Sequence, residues 1–229
     1  MHTVSGPDTR FAEVADRAAT TEIRPEFEIS PAPSPSRLAP HACTLTAVAV
    51  AEGDQPGWES ASGRFVLLHD PDGVDEWQGS YRAVIFASCE VEAEMLADPL
   101  VHEVAWSWTL EALAPLRASQ AGGTVTVSTG NSFGMMADRR PDGLIEVRAS
   151  WTPGLLDDPV LAATQTGTTS GATSGAGTDT APETATDANL GDDIDDHVRA
   201  WIDVLARLAG LPPLPPGVPT VTARRARGS

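Results

Sequence analysis

Residues 80–92 constrain the fold of this chain more than any other stretch. Tyr81, Ala83, Ile85, Ala87, Cys89 and Val91 fall on one face of an extended segment. Arg82, Val84, Phe86, Ser88, Glu90 and Glu92 fall on the other. One face is apolar almost throughout, while the other is apolar in its middle and charged at its end. That pattern predicts a central strand of an antiparallel sheet whose tail emerges into water.

Further strands are expected at 43–51, 63–69, 123–128 and 143–151, from β-branched and alternating residues. Asp70-Pro71-Asp72-Gly73 reads as the turn after the second of these. The arm from Arg24 to Pro40 carries five prolines (25, 31, 33, 35 and 40), so it is neither helix nor central strand. Phe27 and Ile29 are its candidates for an edge strand.

Three helices complete the pattern. Phe11, Val14, Ala15 and Ala18 predict a short amphipathic helix near 9–22. Asp98-Pro99 is expected to open a second, with a stripe of Val101, Val104, Ala105, Trp108 and Ala112. Trp106, Leu110 and Leu113 give this helix a second apolar face before Pro115 ends it. The third is capped by Asp192 or Asp193, and Ile194, Val198, Trp201, Leu205 and Leu208 recur along it at heptad spacing. Asp195–Arg199 and Asp203–Arg207 support it as i,i+4 pairs, and Gly210 with Pro212-Pro213 stops it. Two and a half heptads are short for a coiled-coil seam, so packing on the sheet is favoured.

The expected class is therefore α+β: an antiparallel sheet of about five strands with helices on one face, in the order α-β-β-β-α-β-β-α. The same order occurs in the secretion-chaperone-like sheet fold. A single domain is expected over 9–156 plus 191–211, after a flexible N-terminus at 1–8. Residues 157–190, an acidic Gly/Thr/Ser/Ala stretch, are expected to be a disordered linker. A proline-rich, arginine-containing tail occupies 212–229.

The 229 residues carry 32 acids and 15 bases, a formal charge of −17. Every base is arginine, which removes lysine Schiff bases and P-loop chemistry. The negative charge argues against nucleic acid or an anionic membrane as partner. No signal-peptide core or spanning apolar run is present, and Cys43 and Cys89 read as buried reduced thiols. A cytoplasmic location is expected.

Several motifs together resemble one family. They are Arg37-Leu38-Ala39-Pro40-His41-Ala42, residues 63–71, Met95-Leu96-Ala97-Asp98-Pro99-Leu100, Trp106-Ser107-Trp108, and Arg148-Ala149-Ser150-Trp151-Thr152-Pro153. They resemble the actinobacterial domain-of-unknown-function family numbered three thousand, over 10–156 and again at 190–218. The resemblance implies no established activity. It adds a gene neighbourhood of haem synthesis and a ribonuclease-D-like gene, and hence a haem-pathway accessory role as one alternative.

Catalytic chemistry finds little support. There is no G-x-S-x-G, and the Ser and Gly near 170–175 fall in the expected linker. His41, His69 and His102 with Asp70, Asp72, Asp75 and Glu76 are candidate metal ligands, but 70–76 fits a polar turn better. The same histidines and Met135-Met136 are the candidate haem ligands, with no C-x-x-C-H motif to select among them. No cofactor is expected. Glu90, Glu92 and Glu94 share a face at the strand end and read as solvated. Arg139 and Arg140 form a positive spot, expected to pair with Asp138 and Asp142.

Tryptophan carries more information, since the chain has six Trp and one Tyr. Trp106, Trp108, Trp151 and Trp201 all fall on elements expected to pack together. They make either a tryptophan-rich core or an apolar binding surface. The leading expectation is a non-catalytic protein-interaction module binding through the Trp106/Trp108 helix or the open sheet face. The alternative is an enzyme or small-ligand binder with a pocket near His69, the 131–142 loop and helix 98–114.

Overall fold

The computed structural model describes residues 7–50, 61–138, 142–155 and 193–213. The expected linker at 157–190, Arg139 and Arg140, and the tail from 214 onward lie outside the described residues. The elements in chain order are α1 (Pro7–Ala19), β1 (Phe27–Ala32), β2 (His41–Ala49), β3 (Ser62–Val74), β4 (Gly79–Glu92), α2 (Val101–Leu113), β5 (Ala118–Gly130), β6 (Asp142–Pro153) and α3 (Ile194–Leu208). The class is α+β as expected, with six strands rather than five. The added strand is β1, the edge strand expected from Phe27 and Ile29.

The six strands form one open antiparallel sheet in the order β1-β2-β3-β4-β6-β5. After β4 the chain passes through a 3-10 turn at Met95–Ala97 and helix α2 to the far edge. There it lays down β5, then returns as β6 between β5 and β4. The long β4 is central, paired with β3 and β6 along most of its length. Its Tyr81, Ala83, Ile85, Ala87 and Cys89 are buried on the helix face, as the alternation predicts.

All three helices pack on that face. α1 lies over β1–β3, α3 over β3, β4 and β6, and α2 over β5 and β6. Residues with no side chain permit the closest approaches. A Cβ on Gly63 would sit 3.0 Å from Trp201 Nε1 and 2.6 Å from the Phe86 carbonyl oxygen. A Cβ on Gly123 would sit 2.8 Å from Trp106 Cζ3. α3 therefore seats its indole on β3, and α2 seats its indole on β5.

The heptad of α3 faces the core, with Ile194, Val198, Trp201, Leu205 and Leu208 all buried. Gly210 (φ 71°) closes the helix, donating to the Arg207 carbonyl while Leu211 N–H donates to that of Ala206 at 2.8 Å. This is the paired-bond C-terminal motif that a glycine after the helix permits. Ion pairs clamp α3 to its neighbours: Arg17–Asp193 at 2.7 Å from α1, and Arg207–Glu111 at 2.6 Å to α2.

Two local expectations need correction. The Asp70–Gly73 signal is a bulge inside β3 rather than the turn itself, for the β3–β4 register shifts between His69 and Val74. Asp70 Oδ1 accepts from Asp72 N–H at 3.1 Å and Gly73 takes φ 77°, while the hairpin turns at 75–78. α2 begins at Val101, not Asp98, because Asp98 Oδ1 accepts from Leu100 N–H at 2.9 Å and forms a preceding turn. Its buried face is Ala105, Thr109, Ala112 and Leu113, leaving Val104 and Leu110 exposed. Small residues win the buried side because the helix sits close to the sheet.

Cys43 and Cys89 form no disulfide; they stand on β2 and β4 with β3 between them. Burial pushes the Cys43 thiol up to about 11.

Candidate functional site

The sheet has two edges of different character. β1 is six residues long and carries Pro31, which has no N–H to offer a further strand. β5 is thirteen residues long and exposed along nearly all of its length. Its first part is irregular, with a register shift between Ser119 and Gly122 and Gln120 at φ 51°. From Gly122 to Gly130 it pairs with β6 without a break. This run, Gly-Gly-Thr-Val-Thr-Val-Ser-Thr-Gly, contains no charge and no proline. Charges, prolines and bulges are how proteins blunt an exposed edge. Beyond the bulge at its start, β5 uses none of them.

α2 runs beside this edge and forms a groove with it. His102, Glu103, Trp106, Gly123 and Val125 line a shallow cleft of about 270 Å³. The Trp106 ring lies over Gly123 as its apolar wall, and Glu103 supplies negative charge at the rim. Other apolar side chains are exposed on and before α2: Val104 and Leu110 on the helix, with Leu100 and Met95 ahead of it. Phe133 and Met135, in the turn after β5, are exposed at 82% and 103%. The geometry is that of a strand edge beside a helix, where an added extended peptide gains main-chain bonds and side-chain pockets.

The other predicted site residues lie elsewhere. His69 is only 4% exposed and belongs to a stack of rings from α1, β2, β3 and β4, not to the groove. Its ring centroid lies 4.3 Å from Tyr81, 5.5 Å from His41 and 5.6 Å from Phe11. His69 pairs across the sheet with Tyr81, whereas the 131–142 loop adjoins Glu92, 11 positions further along β4. At the rise of an extended strand that is roughly 35 Å. His69, the 131–142 loop and α2 therefore do not converge on one pocket. Among the described residues, no three His, Cys, Asp or Glu side chains gather as a metal site.

The four tryptophans differ in burial. Trp151 and Trp201 are core, and the Trp151 indole N–H donates to His197 Nδ1 at 3.1 Å inside it. Trp106 and Trp108 are half-buried; the first faces the groove. Sequence reasoning singled out Trp106 but missed Gly123 and Val125, whose spacing beside an uncharged strand was the available signal.

A second cleft, of about 370 Å³, lies between residues 22–24 and α3, lined in part by Arg24, Arg199 and Arg207. Each of these arginines already holds structure together. Arg24 pairs with Glu26 at 2.9 Å and donates to the Pro212 carbonyl. Arg199 pairs with Asp196 at 2.9 Å, and Arg207 with Asp203 at 2.8 Å as well as with Glu111. The open face of the sheet is similarly engaged: Arg82 donates to Ser150 and Thr152, and Arg148 lies over Phe86 at 5.4 Å.

The fold and edge define a small α+β domain built on an open antiparallel sheet. The chain belongs to the family described as Protein of unknown function (DUF3000), whose model matches residues 7–219. No curated protein and no solved structure matches it.

Proposed function

We propose that this protein is a non-catalytic interaction module that receives an extended segment of a partner protein along β5. The observation that carries this is the uncharged, proline-free run 122–130 at the sheet edge, beside the Trp106 groove. A partner strand would satisfy the outward backbone groups of β5 and place alternate side chains against Trp106 and Val125. Main-chain pairing supplies affinity in such additions, and the groove supplies selectivity. Two cysteines that form no disulfide, Cys43 and Cys89, suit a reducing cytoplasm as its place of work.

Capture of partners from extracts of the native cell tests this proposal. Thr124→Lys/Thr126→Lys puts two charges on exposed positions of β5 while leaving the core intact. Trp106→Ala opens the groove wall. Both chains are expected to lose at least about 90% of the specific partner, with far-UV circular dichroism unchanged, as edge pairing is blocked by charge. Undiminished recovery by both would refute the β5 site.

A further inference from the structure

The surface made by α2 and the turn before it combines exposed apolar side chains with acids. Val104, Leu110, Leu100 and Met95 are exposed there. Glu94, Asp98 and Glu103 lie on the same stretch, which itself carries no arginine from residue 83 to residue 116, while Glu111 is already paired with Arg207 of α3. Such a surface fits an occupant that is apolar and positively charged.

The chain carries one segment of that chemistry. Residues 214–229 contain Leu214, Val218 and Val221, then Arg224, Arg225 and Arg227, and no acid. The stretches 51–60 and 156–192 carry acids and no arginine, so they share the sign of the surface and are repelled by it. The departure point of the tail is fixed. Arg24 donates to the Pro212 carbonyl at 3.2 Å, and Arg207, near the end of α3, pairs with Glu111 on α2 at 2.6 Å. From there sixteen residues reach on the order of 50 Å when extended, against about 20 Å for the length of α2.

We propose that the C-terminal segment 214–229 docks across the outward side of α2 toward the β5 groove and competes there with the partner. This rests on the interaction role proposed above and adds a means of regulating it. A tethered segment acts at an effective concentration in the millimolar range, so even a weak contact holds the site until a stronger ligand displaces it. Its charge component is screened by salt over roughly 8–10 Å.

The test uses a fluorescein-labelled synthetic peptide of residues 214–229 and the full-length chain. The peptide is expected to bind the R224E/R225E/R227E chain at least about tenfold more tightly than wild type, whose own tail occupies the surface. Adding Glu103→Arg to that variant should abolish binding, and the same triple variant should capture more partner than wild type. Equal affinity for both chains, no binding to the triple variant, or no effect of Glu103→Arg would each overturn the proposal. Should the peptide fail while Thr124→Lys/Thr126→Lys still loses the partner, the tail is excluded and the β5 site stands. Peptide binding with partner capture untouched by the β5 variant would instead remove the competition along with the partner role.

Discussion

At Gly63 the sheet and α3 meet with no room for a methyl group. A Cβ there would lie 2.6 Å from the Phe86 carbonyl oxygen and 3.0 Å from Trp201 Nε1, so either the strand pairing or the indole must move. Gly63→Ala is expected to destabilise the protein by about 1–3 kcal/mol, the usual cost of overpacking. Urea denaturation measures it, and a midpoint equal to that of wild type would contradict the packing described. Glu26 offers a second test. The hydrogen bonds from the buried Arg24 guanidinium hold its carboxyl below the usual value of 4.5. A depressed carboxylate contributes stability above the unfolded-state value, and that contribution is lost as pH falls through the folded one. The stability gap between wild type and Glu26→Gln should therefore be constant above about pH 5.5 and close as acid is added. A gap that widened on acidification would contradict the pair. Cys43, raised to about 11 by burial, should react slowly with a thiol reagent at pH 8 in the native state and fast once unfolded.

At the level of elements, α3 was the most legible part of the chain. Its heptad, its i,i+4 pairs and its Gly210 stop are all local signals, and all recur in the structure. Gly210→Ala should cost about 1 kcal/mol, since φ 71° suits glycine and strains alanine. A thermal midpoint unchanged within error would argue against the closing motif. β5 was far less legible. Ala118 to Gly123 has the composition of a loop, with Gly, Ala and Gln, and only pairing with β6 makes it strand. β-propensity describes fit to a neighbour, and the neighbour here comes later in sequence. The register of α2 was ambiguous for a related reason. Two apolar faces compete, and periodicity does not show that Ala105, Thr109 and Ala112 permit a closer approach than Val104. The bulge at 70–73 likewise carries turn residues, so local chemistry alone does not separate bulge from turn.

For the whole molecule, the governing asymmetry is between the two edges of the sheet. One is short and carries a proline; the other is long, uncharged and flanked by a helix that leaves apolar side chains exposed. Antiparallel class and the one-sided helices followed from alternation, but the order β4-β6-β5 did not, because a return strand inserted beside β4 leaves no local mark. That order decides which strand is exposed, and so where a partner strand could be added. The sequence located Trp106 yet could not say what it faced; it also grouped His69 with a loop at the far end of the sheet.

Amide hydrogen exchange of the full-length chain, with and without its captured partner, tests the central claim most directly. Pairing along β5 predicts at least about tenfold slower exchange at alternate residues of 122–130 in the complex, while β1 stays unchanged. Slowed exchange confined to the open sheet face or to α3, with β5 exchanging as before, would contradict it.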